Sequence, residues 1–271
     1  MRHQYPLGIF SWFGFVLPFQ ERLRLIKEAG FTTTSIWWED EDTPWPVKKE
    51  SMPQLVRDMG LVLENLHVPY NNSSELWSER DSVRSEFIQR HIRWLNDCAT
   101  HRIPMMVMHL TEGVDPPAPN GDGTKSFREL VKVAEELGIM IAIENTRRSD
   151  NVPYLLSKIQ SNYLGFCYDS SHHFLSDKQD FNLLENFGER LVATHLSDND
   201  GLEDRHWLPG HGIIDWVMVA QHFPTGYRRC LTLEAYPTTE EREESPEIYL
   251  KRAIQKVKNL RDQLGIEGLS G

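Results

Sequence analysis

The chain has 271 residues, 39% of them hydrophobic and 25% charged, which is the composition of a globular protein able to bury a large core. Its formal net charge is −11 and no long basic cluster opposes it, so duplex nucleic acid is not the expected partner. No apolar run approaches the roughly eighteen residues of a membrane span. MRHQYPLGIF does not read as a signal peptide, and the cytoplasm is the expected location. Cys98, Cys167 and Cys230 are too widely spaced for a disulfide framework or a CxxC metal knuckle, and are expected as small buried hydrophobes.

In chain order, short apolar segments alternate with longer amphipathic ones. LGIF (7–10) precedes the helical pattern FQERLRLIKEAG (19–30), which stops at a glycine. TSIWW (34–38) precedes MPQLVRDMG (52–60), and LVLENLHV (61–68) precedes a long helix over 82–102. MMVMHL (105–110) leads to SFRELVKVAEELG (126–138), and IMIAIEN (139–145) leads to PYLLSKI (153–159). LGFCYD (164–169) is followed by FNLLENFG (181–188), LVATHL (191–196) by IIDWVMVAQHF (213–223), and CLTLEA (230–235) by a helix over 246–265. The apolar segments are rich in Val, Ile, Leu and Met and alternate only weakly, as parallel strands buried on both faces do. Eight strand–helix repeats without a linker predict an α/β fold, a single (β/α)8 TIM barrel over 1–271, with a loose tail at about 266–271.

In such a barrel the active site lies at the C-terminal ends of the strands. Those ends carry His67, His109, Glu144, Asp169 (with His172 a turn later), His195 (with Asp204 and His206 in its loop) and Glu234. Glu144 and Glu234 stand inside apolar strands, where a carboxylate needs a cation or several donors to stay charged. The strands contain no arginine to serve. Three carboxylates around one point repel one another severely, and a divalent ion is the simplest remedy. The mixed His/carboxylate set suits Zn²⁺, Mn²⁺, Co²⁺ or Fe²⁺ better than Ca²⁺.

These residues also carry a resemblance. IAIENT, CYDSSHH, THLSDNDGLEDRHWLPGHGIIDW and LTLEAY, with LENLHVPYNNSSELW, resemble the xylose-isomerase-like TIM barrels, which include sugar phosphate isomerases/epimerases and endonuclease IV. The epimerase branch implies one divalent ion on Glu144, Asp169, His195 and Glu234, with the two glutamates doubling as acid and base and His172 near the substrate. The endonuclease IV branch implies three zinc ions on nine ligands, its pattern matched by those four residues with His67, His109, His172, Asp204 and His206. Tyr70 matches an aromatic of that branch. His211 stands in a GHG setting where the superfamily often has a glutamate, which leaves its role open.

Charge and aromatic content weigh the branches. The loops SWFGFVLPF, WWEDEDTPWPVKK and TEGVDPPAPNGDG are acidic or apolar rather than basic. Their aromatics Trp12, Phe13, Trp37, Trp38 and Trp45, with Trp77, suit a closed pocket for a small polyol, although Trp37 suits the barrel rim equally well. Arg205 and the pair Arg147–Arg148 are candidates to bind a substrate phosphate. His172, His211, Tyr70 and Trp12 are further candidate substrate contacts. The leading expectation is a divalent-metal-dependent sugar or sugar phosphate isomerase/epimerase acting by proton transfer α to a metal-bound carbonyl, with one ion and at most three. The alternatives are a multi-zinc abasic-site phosphodiesterase and a non-catalytic sugar-binding barrel. The expected partner is a small sugar or sugar phosphate, and a homo-oligomer is left open.

Overall fold

The structure, a computed structural model, describes residues 5–177 and 180–267, the last three by backbone alone. Eight strands occur where the apolar segments predict them: β1 (Leu7–Phe10), β2 (Thr33–Trp37), β3 (Val62–His67), β4 (Met105–His109), β5 (Met140–Glu144), β6 (Leu164–Asp169), β7 (Leu191–His195) and β8 (Leu231–Leu233). They form one parallel sheet in the order β7-β6-β5-β4-β3-β2-β1-β8. A parallel bridge between Leu196 and Leu233 closes it, with the Leu196 N–H donating to the Thr232 carbonyl at 2.9 Å. The expected (β/α)8 barrel is present.

The helices are α1 (Phe19–Ala29), α2 (Met52–Asp58), α3 (Asp81–Thr100), α4 (Gly121–Leu137), α5 (Asn151–Lys158), α6 (Ser170–Asp177), α7 (Asn182–Phe187), α8 (Trp216–His222) and α9 (Pro246–Glu267). Strand side chains such as Ile9, Ile36, Leu66, Ile141 and Phe166 join the helices' apolar faces in one large core. Met105, Val107, Ala142, Cys167 and Ala193 make a second, smaller cluster. Two opposed buried faces explain why the strands alternate so weakly. All three cysteines are free and buried, and no described helix is long and apolar enough to cross a membrane.

The departures have local causes. α6 is unforeseen, because SSHHFLSD has little apolar periodicity. α4 begins at Gly121 rather than 126, since the Asn120 side chain caps it by accepting the Gly123 N–H at 2.8 Å. α8 begins at Trp216 rather than 213, since Asp215 caps it through the N–H groups of Val217 and Met218. β8 is only three residues long, leaving Glu234 one residue past its end. α9 runs through Glu267, and the rest of the expected tail lies outside the described residues.

Candidate metal centre and active site

Strand register sets the site. Asp169 pairs with His195, His109 with Glu144, and Trp37 with His67, so these side chains leave the barrel at one level. The His195 Nδ1 lies 3.1 Å from Glu144 Oε2 and 2.9 Å from Glu234 Oε2. His67 Nε2 is 3.1 Å from Glu144 Oε2, and His109 Nε2 is 3.6 Å from the same oxygen. His172 Nδ1 lies 3.4 Å from Glu144 Oε1. Its Nε2 and that of His206 each lie 3.0 Å from Asp204 Oδ2. All nine strand-end residues singled out in the sequence therefore converge.

The donor set fits a divalent cation. One ligand atom from each of Glu144, Asp169, His195 and Glu234 lies within 4.8 Å of all the others, and the same holds for His67, His109 and Glu144. Glu144 Oε1 and Asp169 Oδ2 are buried with no hydrogen-bond partner among the described residues. Such oxygens are costly to bury unless a cation meets them. Cys167 lies near the same point, but burial pushes its thiol up to about 12, which keeps it protonated.

The electrostatics divide the acids. Burial pushes Asp169 up to about 7, with His172 pulling it back and Asp204, Glu144 and Glu234 adding repulsion. Burial also acts to raise Glu234, but the neighbouring His195 overcomes it and holds the carboxyl at about 2. Glu144 is likewise held below its usual range, against burial, by His195 and His109. Burial opposes charge on all three histidines, yet Cys167, Glu144 and Glu234 raise His195, and the facing carboxylates raise His172 and His206, His206 to about 9. The imidazoles face these carboxylates as counter-ions, and a metal ion held by them would displace their protons.

Residues beyond the ring hold it in place, and two were missed in the sequence. Asn145 donates from Nδ2 to the Asp169 carbonyl and accepts the Asp169 N–H at Oδ1, both at 2.8 Å, which locks the ends of β5 and β6 together. Asp198 is fully buried. It accepts from the N–H groups of Asn199, Gly210 and Ile214 and from Trp216 Nε1, at 2.8–3.1 Å. It thereby clamps the long loop after β7. Gly212 fits this clamp because any Cβ there would lie 2.1 Å from the Asn199 carbonyl and 2.4 Å from Asp198 Oδ1. Nothing in DNDGLEDRH distinguishes the clamping acid from its solvated neighbours. His206 takes φ +50° and sets its Nδ1 3.0 Å from the Glu234 carbonyl, which aims its other nitrogen at Asp204.

Other expectations are redistributed. A cleft of about 560 Å³ opens above the ring, and Trp12, Trp37 and Tyr70 line it. Trp37 stacks on His67 at 4.9 Å and Tyr70 on His109 at 4.6 Å between centroids. Phe13, Trp38 and Trp77 are core residues instead, and Trp77 donates to the Leu110 carbonyl. His211 does not line the cleft. It faces Glu241 at 3.5 Å, because the clamp on Asp198 turns the GHG segment away. Arg205 is also outside the cleft, paired with Asp200 at 2.8 Å and Glu203 at 2.7 Å.

Residues 23–255 match the xylose isomerase-like TIM barrel family. The chain belongs to that family. Its fold is similar to a solved L-ribulose 3-epimerase, with a TM-score of 0.77 and 14% identity over 98% of both chains. It is similar to a D-psicose 3-epimerase of Clostridium cellulolyticum H10, solved with D-tagatose, with a TM-score of 0.75 and 16% identity over 96% of this chain and 99% of that one. A xylose isomerase-like TIM barrel/4-hydroxyphenylpyruvate dioxygenase fusion protein gives 0.79 and 19%, over 96% of this chain and 43% of the fusion. The uncharacterized protein y4fM of Sinorhizobium fredii is 27% identical over 248 residues, 78% of this chain and 79% of that protein. For a xylose isomerase-like barrel, a polar ring at the strand ends lies where the fold puts active sites.

Proposed function

We propose that the protein is a divalent-metal-dependent isomerase or epimerase of a sugar or sugar phosphate. The observation that carries this reading is the placement of two glutamates, the buried Glu144 and the partly exposed Glu234, both against His195 Nδ1 at the floor of a cleft sized for a small polyol. The 3-epimerases of similar fold support it. Glu144, Asp169, His195 and Glu234 would hold the ion, of Zn²⁺, Mn²⁺, Co²⁺ or Fe²⁺ character. When bound, it supplies positive charge to the oxygens of a carbonyl and its neighbouring hydroxyl.

The remaining chemistry belongs to the side chains. One glutamate takes the proton from the carbon α to the carbonyl, and the other returns a proton from the opposite side. Return to the same carbon inverts it, and return to the adjacent carbon interconverts aldose and ketose. His172, whose Nε2 is held by Asp204, lines the cleft beside the substrate. Trp12, Trp37 and Tyr70 exclude water and offer flat faces to sugar C–H surfaces.

His67 and His109 share Glu144 as a second candidate ligand group, and His172 and His206 both meet Asp204. That convergence is what favours a multi-zinc phosphodiesterase. Against it, the cleft is lined by Glu41 and Asp42, and Arg205 is already paired, which gives a polyanion little to bind.

Metal-loaded protein incubated with a panel of ketoses in D₂O tests the proposal. Deuterium at the carbon α to the carbonyl, followed by NMR, is expected for at least one sugar. No incorporation across the panel, together with incision of an abasic duplex, overturns it.

A further inference from the structure

We infer that Arg147 anchors the terminal anionic group of the substrate, a phosphate or a carboxylate, in a pocket beside the metal centre. This rests on the proposed function and narrows its substrate class to acidic sugars.

The pocket is about 250 Å³ and lies between the ends of β4, β5 and β6. It shares Tyr70, His109, His172 and Asp204 with the main cleft, so one small ligand can occupy both. Its outer wall adds Thr111, Thr146 and Arg147. The Thr111 and Thr146 hydroxyls are 3.1 Å apart in buried residues. One donates to the other, and the accepting hydroxyl keeps a proton for a ligand oxygen.

Asp204 and Glu112, the acids lining this pocket, each have hydrogen-bond donors of their own. Asp204 is held by His172, His206 and the Ser171 hydroxyl. Glu112 accepts the Asn72 N–H. Of the arginines near the strand ends, Arg148 pairs with Asp150 and Arg205 with Asp200. Arg147 is exposed and, among the described residues, makes neither an ion pair nor a hydrogen bond. Its planar fork matches the oxygens of phosphate or carboxylate in a paired geometry that a neutral hydroxyl cannot supply. It also offsets the negative field of Glu144, Asp169, Glu234 and Asp204, which otherwise repels an acidic substrate.

Calorimetry on the metal-loaded protein tests this without turnover. The probes are D-fructose, D-fructose 6-phosphate, D-fructuronate and inorganic phosphate, against wild type, Arg147→Gln and Arg147→Lys. At least one acidic sugar is expected to bind about tenfold or more tighter than fructose, with inorganic phosphate competing. Arg147→Gln should remove that advantage and leave fructose binding and the melting temperature unchanged, while Arg147→Lys restores part of it. The phosphate and uronate arms decide which anion is preferred. Equal losses for neutral and acidic probes, no loss for either, or failure of every anionic probe to bind overturns the inference. Because no reaction is followed, these results stand apart from the deuterium-exchange test, and either can fail alone.

Discussion

At the upper end of the barrel, Glu144, Asp169 and Glu234 meet around His195, whereas lower in the strands Glu64 is buried beside Thr232, whose hydroxyl donates to its Oε2 at 2.5 Å. Both regions bury carboxyl groups against the same apolar barrel. The upper glutamates are held ionised by facing imidazoles. Burial instead pushes Glu64 up to about 7, a value near neutrality despite the Thr232 hydrogen bond and the field of His195. The lower layer solves its problem by packing small polar groups: the Thr33 hydroxyl and Cys230 thiol are 2.7 Å apart, with Gly8 leaving them room. The contrast is between an isolated buried acid and a convergence of acids with histidines and unpartnered oxygens, and only the second fits a cation.

The largest expected effect lies in the upper layer. Glu234→Gln should lower the deuterium-exchange rate by about a thousandfold, within the usual range for a positioned acid or base, while the fold survives. A melting temperature that falls with exchange intact would erase the distinction between the layers.

In the lower layer the effect is on stability and depends on pH. Glu64 has a folded pKa of about 7 against 4.5 in the reference state, so the folded protein binds the extra proton between those values. The stability it contributes is complete below about pH 4.5 and is lost as pH rises through 7. Glu64→Gln does not titrate and should be more stable than wild type above pH 7, by up to about 3 kcal/mol at roughly 1.4 kcal/mol per tenfold in proton affinity. The difference should vanish near pH 4.5, as read by urea unfolding across pH.

Metal should stabilise through the upper layer alone. At a hundredfold excess over its dissociation constant, a divalent ion should add about 2.7 kcal/mol. Thermal melts should show the gain in wild type and in Glu64→Gln, and lose it in His195→Ala. The smallest effect is Gly8→Ala, whose Cβ would meet the Thr33 hydroxyl at 2.5 Å and the Cys230 sulfur at 2.9 Å. It should destabilise by about 1 kcal/mol, the low end for overpacking against side chains that can rotate, and leave metal affinity unchanged.

The strands were legible because burial on both faces writes a continuous apolar run, and their ends could be counted along it. The convergence of the strand-end residues was legible because barrel geometry brings the last residues of all the strands to one face. Glu64 shows the limit. LVLENLHV, IAIEN and LTLEA all place a glutamate in an apolar strand, yet only the latter two put it at the rim. In β3 the register to β2 shifts so that Glu64 and Asn65 oppose Ser35, a bulge that no local pattern announces. His211 and Arg205 were misplaced for a related reason. The path of their loop is set by Asp198, a contact across the loop rather than along it. Trp38 and Trp77 face the core rather than the pocket, because an aromatic in a loop sequence does not reveal which way the loop folds.

The most direct test of the account is an anomalous-difference map from crystals loaded with Mn²⁺ or Zn²⁺. The account predicts a peak at the strand ends within about 2.0–2.3 Å of one atom from each of Glu144, Asp169, His195 and Glu234. Any further peaks should fall at His67/His109 or at His172/Asp204/His206. An empty ring in metal-loaded crystals, or a peak bound only elsewhere, would contradict the claim that these acids converge to hold a cation.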